Sequence, residues 1–314
     1  TNCAATRGLV WQPDFLSPSA TLCGVTQIVC SRRFAVLDEV VDLRAPDELA
    51  EVVSALYADA PATTAETTLS LHLASVSQRF TASISSGSIS SGDRQSADKC
   101  EQWCDTPSEL YEVLQRELTY ALLTHLAPRY LLVHAGAVQL GSTAVLLPGG
   151  HDSGKSSLAL ELGHRGQFFS DDVTPIHPQT LSAMSFQREL VLHTGTRSAH
   201  RPLPRPARCS RFEEYDYLAA RQADLTWASP TRVGALVFPH RRQGYTAQMA
   251  TVTPAESARR LLEQCFDLQR LGATSTDVVI DLAECPAVDV WFDRADQIAP
   301  MLLEWVQSAR PAAP

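Results

Sequence analysis

A glycine-rich stretch between an apolar run and an amphipathic run constrains this chain more than any other feature. The stretch is GGHDSGKSS at residues 149–157; it follows STAVLLP and begins the run SSLALEL. It satisfies GxxxxGK[ST], the Walker A pattern, in which inward-turned backbone amides, a helix N-terminus, a lysine and a hydroxyl surround phosphate groups. The flanking runs predict the strand and the helix that this chemistry requires. We therefore predict a strand, a phosphate-binding loop and a helix in succession.

Two positions of the pattern have defined chemistry. Lys155 is expected to reach the outer phosphates, and the hydroxyl of Ser156 is expected to bind Mg²⁺. Only two lysines, Lys99 and Lys155, occur among 26 basic residues, so background frequency does not explain a lysine inside this loop. The alternative is a strand-to-helix turn that has merely kept its glycines.

A pair of acids follows the next short apolar run. Asp171 and Asp172 come sixteen residues after Lys155, in FFSDDVTP. A carboxylate at a strand end can hold Mg²⁺ or accept a proton from a substrate hydroxyl. The alternative is a helix cap or a solvated turn, which Asp also favours. The spacing allows the acids to return to the phosphate end of a parallel sheet.

The first third of the chain predicts a small α+β unit. Short apolar runs with Pro and Ser predict strands and turns up to about residue 45, and alternation predicts one or two strands over 67–85. Helical spacing occurs over 47–60 and from Thr106 to Leu126, where Thr-Pro-Ser-Glu is typical of a helix start. Ser, Gly and Asp over 85–100 predict an exposed loop.

Strands, turns and helices alternate from about residue 130, which predicts an α/β unit. The predicted strands are LLVHAGAVQL and STAVLLPGG, joined at Gly141, then QFFSDDVTPI, VGALVFPH and PAVDVWF. The predicted helices are SSLALELGHRG, ending near Gly166, TPAESARRLLEQCF and RADQIAPMLLEWVQSA. Residues 197–230 are rich in Arg, Pro and aromatics without periodicity, which predicts a long excursion or lid. We place the domain boundary between residues 118 and 119.

Composition excludes some partners. The net charge of −9 disfavours binding to nucleic acid or an anionic membrane, because such binding depends on clustered Lys and Arg. No apolar run reaches the roughly 18 to 20 residues that span a bilayer, and TNCAATRGLV lacks the regions of a secretory signal, so we expect a cytoplasmic protein. Of the eight cysteines only Cys100 and Cys104 are close, which favours free thiols over a metal site.

Three segments together resemble a known family. HAGAV, AVLLPGGHDSGKSSLALELGHRG and FFSDDV, within residues 130–175, resemble the catalytic core of HPr kinase/phosphorylase and its kinase relatives, which share a P-loop architecture with ATP-dependent phosphoenolpyruvate carboxykinase. SFQRELVL, VGALVFPHRR and TPAESARRLLEQCF are similar more loosely. The resemblance implies an α/β fold with a P-loop kinase domain of this type over residues 119–314. A smaller α+β domain over 1–118 precedes it, and we expect that domain to recognise the substrate because it contains no candidate catalytic residue.

The resemblance also implies cofactors and roles for individual residues. ATP and Mg²⁺ are the implied cofactors, with Ser156 and Asp171 as metal ligands and Asp171 or Asp172 as the general base. The residues implied to bind the nucleotide are Gly149, Gly150, Asp152, Ser153, Gly154, Lys155, Ser156, Ser157 and Arg188. His134 matches a histidine near the phosphate site, although a strand-end histidine bonded to backbone is the alternative. Arg241 or Arg242 is implied to stabilise transition-state charge.

The acceptor implied by the resemblance is a serine of a peptide or protein. HPr kinase has a Glu- and Gly-rich segment after its Asp pair, whereas this chain has SFQRELVLHTGTR with Glu189, so HPr itself is not the expected acceptor. The chain looks like a divergent relative of the kind that phosphorylates precursor peptides of natural products. Self-association is implied because HPr kinases form oligomers. The alternatives are a kinase of a free amino acid or sugar and a non-catalytic nucleotide-binding regulatory module; a carboxykinase acting on oxaloacetate is disfavoured by the chain's small size.

Overall fold

The protein is represented by a computed structural model. It describes residues 30–76, 79–86, 103–194, 203–206 and 208–309. The strands and turns expected before residue 30, and most of the exposed loop expected over 85–100, lie outside the described residues.

The N-terminal unit is a five-stranded sheet. Its strands are β1 (Cys30–Val36), β2 (Glu39–Ala45), β3 (Leu69–Val76), β4 (Arg79–Ser86) and β5 (Trp103–Cys104), in that spatial order. Only β2 and β3 run parallel, and the crossover between them holds a 3₁₀ turn (Asp47–Leu49) and helix α1 (Ala50–Ala55). The sequence predicted one or two strands over 67–85, and the structure has two.

Helix α2 (Pro107–Leu126) packs on this sheet. Thr106 caps it, because its Oγ1 accepts the Glu109 backbone N–H at 3.1 Å, as the sequence predicted. Leucines at four-residue spacing are fully buried in the core of the sheet: Leu110, Leu114, Leu118, Leu122 and Leu126. Residue 118, the predicted end of the first domain, therefore lies in the middle of a helix that packs on the N-terminal sheet.

The rest of the chain contains thirteen strands and five helices among the described residues. The strands are β6 (Leu131–Val133), β7 (Ala135–Leu140), β8 (Thr143–Pro148), β9 (Gln167–Ser170), β10 (Thr174–His177), β11 (Ser182–Ala183), β12 (Leu190–His193), β13 (Arg211–Phe212), β14 (Tyr215–Leu218), β15 (Thr231–Arg241), β16 (Gln248–Thr251), β17 (Cys265–Phe266) and β18 (Ala287–Phe292). The helices are α3 (Lys155–Gly163), α4 (Pro254–Gln264), α5 (Leu268–Leu271), α6 (Ala273–Ala283) and α7 (Ala295–Ser308).

Ten of these strands form one mixed sheet with helices on both faces. Strands β8, β15 and β18 are parallel, while β7 runs antiparallel to its neighbours β8 and β9. The carboxyl ends of β8, β9, β15 and β18 therefore share one edge. Helices α3 and α7 pack on one face and α4 and α6 on the other, so apolar residues of β7 and β8 are buried on both sides. This arrangement confirms the α/β class.

Four expectations need correction. The run QFFSDDVTPI is two strands on either side of the acid pair, because β9 pairs with β7 whereas β10 pairs with β6 and β11. The run LLVHAGAVQL is two strands, because Val133 in β6 pairs with β10 and β17, whereas Ala135 in β7 pairs with β8. Helix α3 ends at Gly163 rather than near Gly166. Segment 197–230, for which the sequence predicted no regular structure, contains strands β13 and β14. They join β12 in a small sheet of order β12-β14-β13.

The small sheet connects the two units. Leu190 and Leu218 pack into the core around α3, while Tyr217 packs into the core of the N-terminal sheet. It therefore covers the region between α2 and the start of α3. No helix among the described residues is both long and apolar enough to cross a bilayer.

Candidate phosphate-transfer site

The glycine-rich loop leaves β8 at the shared carboxyl edge and enters α3. Two of its residues adopt left-handed backbone, Asp152 at φ 59° and Gly154 at φ 95°. A Cβ at Gly154 would lie 2.9 Å from both the Cβ of Arg241 and the ring of Phe292, so only glycine fits this position. No side chain in the described part of the chain caps α3. Its first amides therefore remain available to an anion.

Lys155, the first residue of α3, is directed back over the loop. Its side chain is only 6% exposed, and Nζ lies 2.8 Å from the carbonyl oxygen of Gly150 and 3.1 Å from Nε2 of His134. Burial lowers the pKa of Lys155, and the negative charges of Asp172, Asp171 and Asp152 oppose this decrease. The ammonium group thus lies between the loop and the acid pair.

His134 connects the lysine to the acids. Its Nδ1 lies 3.2 Å from Oδ1 of Asp172, while Nε2 faces the Lys155 ammonium. Because an ammonium group only donates hydrogen bonds, Nε2 must accept, and Nδ1–H donates to Asp172. The hydrogen-bond network therefore assigns a neutral imidazole with its proton on Nδ1.

Asp171 follows β9 and is only 3% exposed. Its Oδ2 accepts the Val191 backbone N–H at 3.2 Å. Burial raises the pKa of Asp171 to about 6; the charge of Asp172 adds to the rise, while the charge of Arg188 and hydrogen bonds from Val191 and Ser156 oppose it. Asp171 therefore keeps its proton to a higher pH than an ordinary aspartate does, and it is mostly ionised at neutral pH.

Asp172 has the opposite environment. Its Oδ1 faces Nδ1 of His134, and its Oδ2 accepts a hydrogen bond from Arg188 Nη2 at 3.0 Å. Burial alone would raise the pKa of Asp172, but the hydrogen bond from His134 and the charges of Arg188 and Lys155 hold it below its usual value of 3.8. The second acid is thus a stable anion that is one-third exposed.

A cavity of about 630 Å³ extends from the loop and the acids to α2 and the β13–β14 hairpin. The predicted site residues that line it are Asp152, Gly154, Lys155, Ser156, Ser157, His134, Asp171, Asp172, Arg188 and Arg241. The opposite wall is formed by residues that the sequence analysis did not single out: Glu112, Gln115, Arg116, Phe212, Glu213, Tyr215 and Tyr217.

The remaining predicted residues lie beside the cavity or away from it. Gly149, Gly150 and Ser153 belong to the loop, and the Ser153 carbonyl accepts the Arg241 backbone N–H at 2.9 Å. Arg242 is not among the lining residues; its guanidinium lies 5.5 Å from the centre of the Tyr245 ring. The structure thus distinguishes two arginines that the sequence left equivalent.

Ser156 and Asp171, the two residues predicted to bind Mg²⁺, lie next to each other. The Ser156 side chain hydrogen-bonds to the Asp171 carboxylate at the cavity wall. Within the described ranges, no cluster of three or more His, Cys, Asp or Glu residues could hold a metal ion by itself. Mg²⁺ commonly uses one or two protein ligands and takes the others from phosphates and water. The pair therefore fits Mg²⁺ bound together with a nucleotide.

The contribution of α2 to the opposite wall could have been predicted from the sequence. Tyr111, Gln115 and Thr119 form a second four-residue stripe on α2, beside the leucines, and all three are buried. A polar stripe next to an apolar stripe indicates a second contact surface on the helix. The contribution of the β13–β14 hairpin had no such signal, because its position depends on pairing with β12.

Comparison of the chain with protein-family models and with curated proteins yields no match.

Proposed function

We propose that this protein is an ATP- and Mg²⁺-dependent phosphotransferase that phosphorylates a hydroxyl group, a serine of a peptide or protein. One observation carries the proposal: a phosphate loop with its lysine and an acid pair in two contrasting environments open into the same cavity. The resemblance of the loop and acid segments to HPr kinase/phosphorylase supports it as well.

The nucleotide phosphates would occupy the loop. The uncapped amides of α3 and the Lys155 ammonium attract the phosphate oxygens, and Arg241 at the cavity wall is placed to add positive charge. Lys155 would exchange its contact with the Gly150 carbonyl for the outer phosphates. Ser156 and Asp171 would hold Mg²⁺, which supplies charge neutralisation between the outer phosphates.

Asp172 is the candidate base. The oxygen of the acceptor hydroxyl would form a bond to the γ-phosphorus while the bond between that phosphorus and the bridging oxygen breaks, leaving the electron pair on ADP. The hydroxyl proton would pass to the Asp172 carboxylate, which is anionic and reaches the cavity. His134 and Arg188 fix the orientation of that carboxylate through one oxygen each.

The first test is mass spectrometry of the protein incubated with ATP, Mg²⁺ and short serine peptides. A gain of about 80 Da on a peptide, the mass of one transferred phosphoryl group, is expected with wild type and not with Lys155→Ala or Asp172→Asn. Asp172→Asn should still bind ATP, because it changes the acid and not the loop. A protein that does not bind ATP through Lys155 would contradict the proposal, and ATP binding without transfer to any hydroxyl would indicate the regulatory module.

A further inference from the structure

A turn over residues 56–60 of the N-terminal unit has a strained backbone. Tyr57 has a φ of 50° although it is a fully buried aromatic residue. Left-handed backbone is rare for a bulky side chain and persists only where surrounding contacts enforce it. The guanidinium of Arg32 on β1 supplies such contacts, because it donates hydrogen bonds to the carbonyl oxygens of Leu56 and Tyr57 at 2.6 and 2.7 Å. The fold therefore maintains this turn against its own backbone preference.

The turn also binds the rest of the chain. Oδ2 of Asp59 accepts the Arg221 backbone N–H at 3.0 Å and the Nε1–H of Trp227 at 3.2 Å. The Trp227 ring packs on Phe168 of β9, with 5.1 Å between the ring centres. The position of the turn is therefore fixed relative to the acid pair, which directly follows β9.

Arg188 lies between two contacts with this turn. Two residues before Arg188, the ring of Phe186 meets the Tyr57 ring edge-on, with 6.3 Å between the centres. Immediately after Arg188, the Glu189 carboxylate accepts the Ala58 backbone N–H through Oε1 at 2.7 Å. The N-terminal unit thus holds the chain on both sides of Arg188.

Glu189 and Arg188 are adjacent but face different parts of the molecule. Glu189 is 3% exposed and does not line the cavity, and its Oε2 accepts a hydrogen bond from Nε2 of Gln115 on α2. Both of its oxygens therefore bind the N-terminal unit. The guanidinium of Arg188 lines the cavity and donates to Asp172. The two side chains connect the turn and α2 to the candidate base.

The contact between Arg188 and Asp172 determines where the candidate base points. Nη2 of Arg188 donates to Oδ2 of Asp172 at 3.0 Å, while Nδ1 of His134 holds Oδ1. Without the guanidinium, Oδ2 would lose its donor and the carboxylate would be free to rotate. A displacement of about 1 Å in a reacting group can slow a reaction roughly hundredfold. The contacts that hold Arg188 therefore bear on the rate of transfer.

We propose that Glu189 is a positioning residue for phosphoryl transfer, and that the turn over residues 56–60 completes the catalytic site by holding Glu189, and through it Arg188, against Asp172. The proposal rests on the proposed kinase function. It gives the N-terminal unit a part in the chemical step, in addition to the substrate recognition expected from the sequence.

The test is a double-mutant cycle between Glu189 and Arg188, with ATP, Mg²⁺ and the probe peptide acetyl-Ala-Ser-Ala-amide. The value of kcat is expressed per ATP-binding site, counted by calorimetry, so that a loss of folded protein does not register as a loss of rate. Glu189→Ala should lower kcat at least about tenfold and Arg188→Ala about a hundredfold. In the Arg188→Ala background, Glu189→Ala should have little further effect, because a residue that acts only through Arg188 has nothing left to position.

A conservative variant should restore the rate. In Glu189→Gln the remaining oxygen can still accept the Ala58 N–H, and the new amide can pair with Oε1 of Gln115 once that side chain rotates. Its kcat should stay within about threefold of wild type, because the hydrogen bonds and not the charge hold the turn.

Glu39→Ala is the matched control. Glu39 on β2 is also 3% exposed and is bonded to Arg129 and to Nδ1 of His125 at 3.2 Å, but it does not line the cavity. Its substitution should lower the free energy of unfolding as Glu189→Ala does, while kcat per ATP-binding site stays at the wild-type value.

A second variant keeps the test decisive if Glu189→Ala does not fold. Arg32→Met removes the donors to Leu56 and Tyr57 and leaves both members of the cycle in place. It should also lower kcat, and it should have little effect in the Arg188→Ala background.

The failures can be told apart. If Glu189→Ala keeps the wild-type kcat per ATP-binding site, or if its effect multiplies with that of Arg188→Ala, the positioning role is wrong while the kinase proposal stands. An equal loss of kcat in Glu39→Ala also overturns the positioning role, because general destabilisation would then explain it. A wild-type protein that does not bind ATP, or transfers no phosphoryl group, overturns the kinase proposal itself and the positioning role with it.

Discussion

Neutralising Asp171 should stabilise the protein while inactivating it. In Asp171→Asn the remaining side-chain oxygen can still accept the Val191 N–H, and the new amide group can face the Ser156 hydroxyl. What disappears is the cost of holding an ionised carboxylate at a site that is 3% exposed. Phosphoryl transfer should be lost, because the side chain that would bind Mg²⁺ together with Ser156 no longer carries a negative charge.

The magnitude follows from the pKa of Asp171. Its rise from the usual 3.8 to about 6 corresponds to about 3 kcal/mol, at roughly 1.36 kcal/mol per pKa unit. Since the folded-state pKa is the higher one, the folded protein binds the proton more tightly. The contribution of Asp171 to the free energy of unfolding should therefore fall as pH rises from about 4 to above 6. The Asn variant avoids this loss and should be about 3 kcal/mol more stable at about pH 8, but less than about 1 kcal/mol more stable at about pH 4.

Urea denaturation of both proteins at the two pH values measures this difference. A variant that is less stable than wild type at about pH 8, or a difference that does not change with pH, would refute the reasoning. Asp172→Asn is the matched control. Its expected effect on the free energy of unfolding has the opposite sign, because contacts in the fold lower the pKa of Asp172. Its substitution should destabilise the protein at neutral pH, and this loss should disappear as pH falls through the acid range.

Three further substitutions test the site and its support. Lys155→Met should abolish ATP binding, measured by calorimetry, while the protein stays folded; undiminished affinity would contradict the role of the loop. Gly154→Ala should lower the free energy of unfolding by about 1–3 kcal/mol, because its Cβ would meet Arg241 and Phe292 at a left-handed φ. Glu189→Ala should cost about 3 kcal/mol in urea denaturation by leaving its buried donors unpaired, and a loss below about 1 kcal/mol would show that water replaces the carboxylate.

Local patterns predicted the elements around the phosphate loop. The apolar run before Gly149 is β8, and the run after Gly154 is α3, because both signals come from neighbouring residues. The turn at Gly141 and the capped start of α2 were predicted for the same reason. By contrast, the apolar run through His134 looked continuous, and only pairing with distant strands divides it into β6 and β7.

The sequence alone could not assign roles to the acid pair. Asp171 and Asp172 are adjacent and chemically identical, yet the fold raises the pKa of the first and lowers the pKa of the second. The difference arises because the chain buries the first under β12 and directs the second towards His134 and Arg188. Similarly, Arg241 and Arg242 are neighbours, but only Arg241, the last residue of β15, lines the cavity, whereas Arg242 follows the strand and lies against the Tyr245 ring.

The sequence by itself determined that a strand, a phosphate-type loop and a helix follow one another, because glycine conformations and hydrophobic periodicity are properties of neighbouring residues. Tertiary structure alone decided which residues face that loop. Gln115 comes from a helix of the N-terminal unit and Tyr215 from a hairpin 100 residues later. Their meeting in one cavity, like the two environments of the acid pair, depends on burial and long-range packing, which no local pattern encodes.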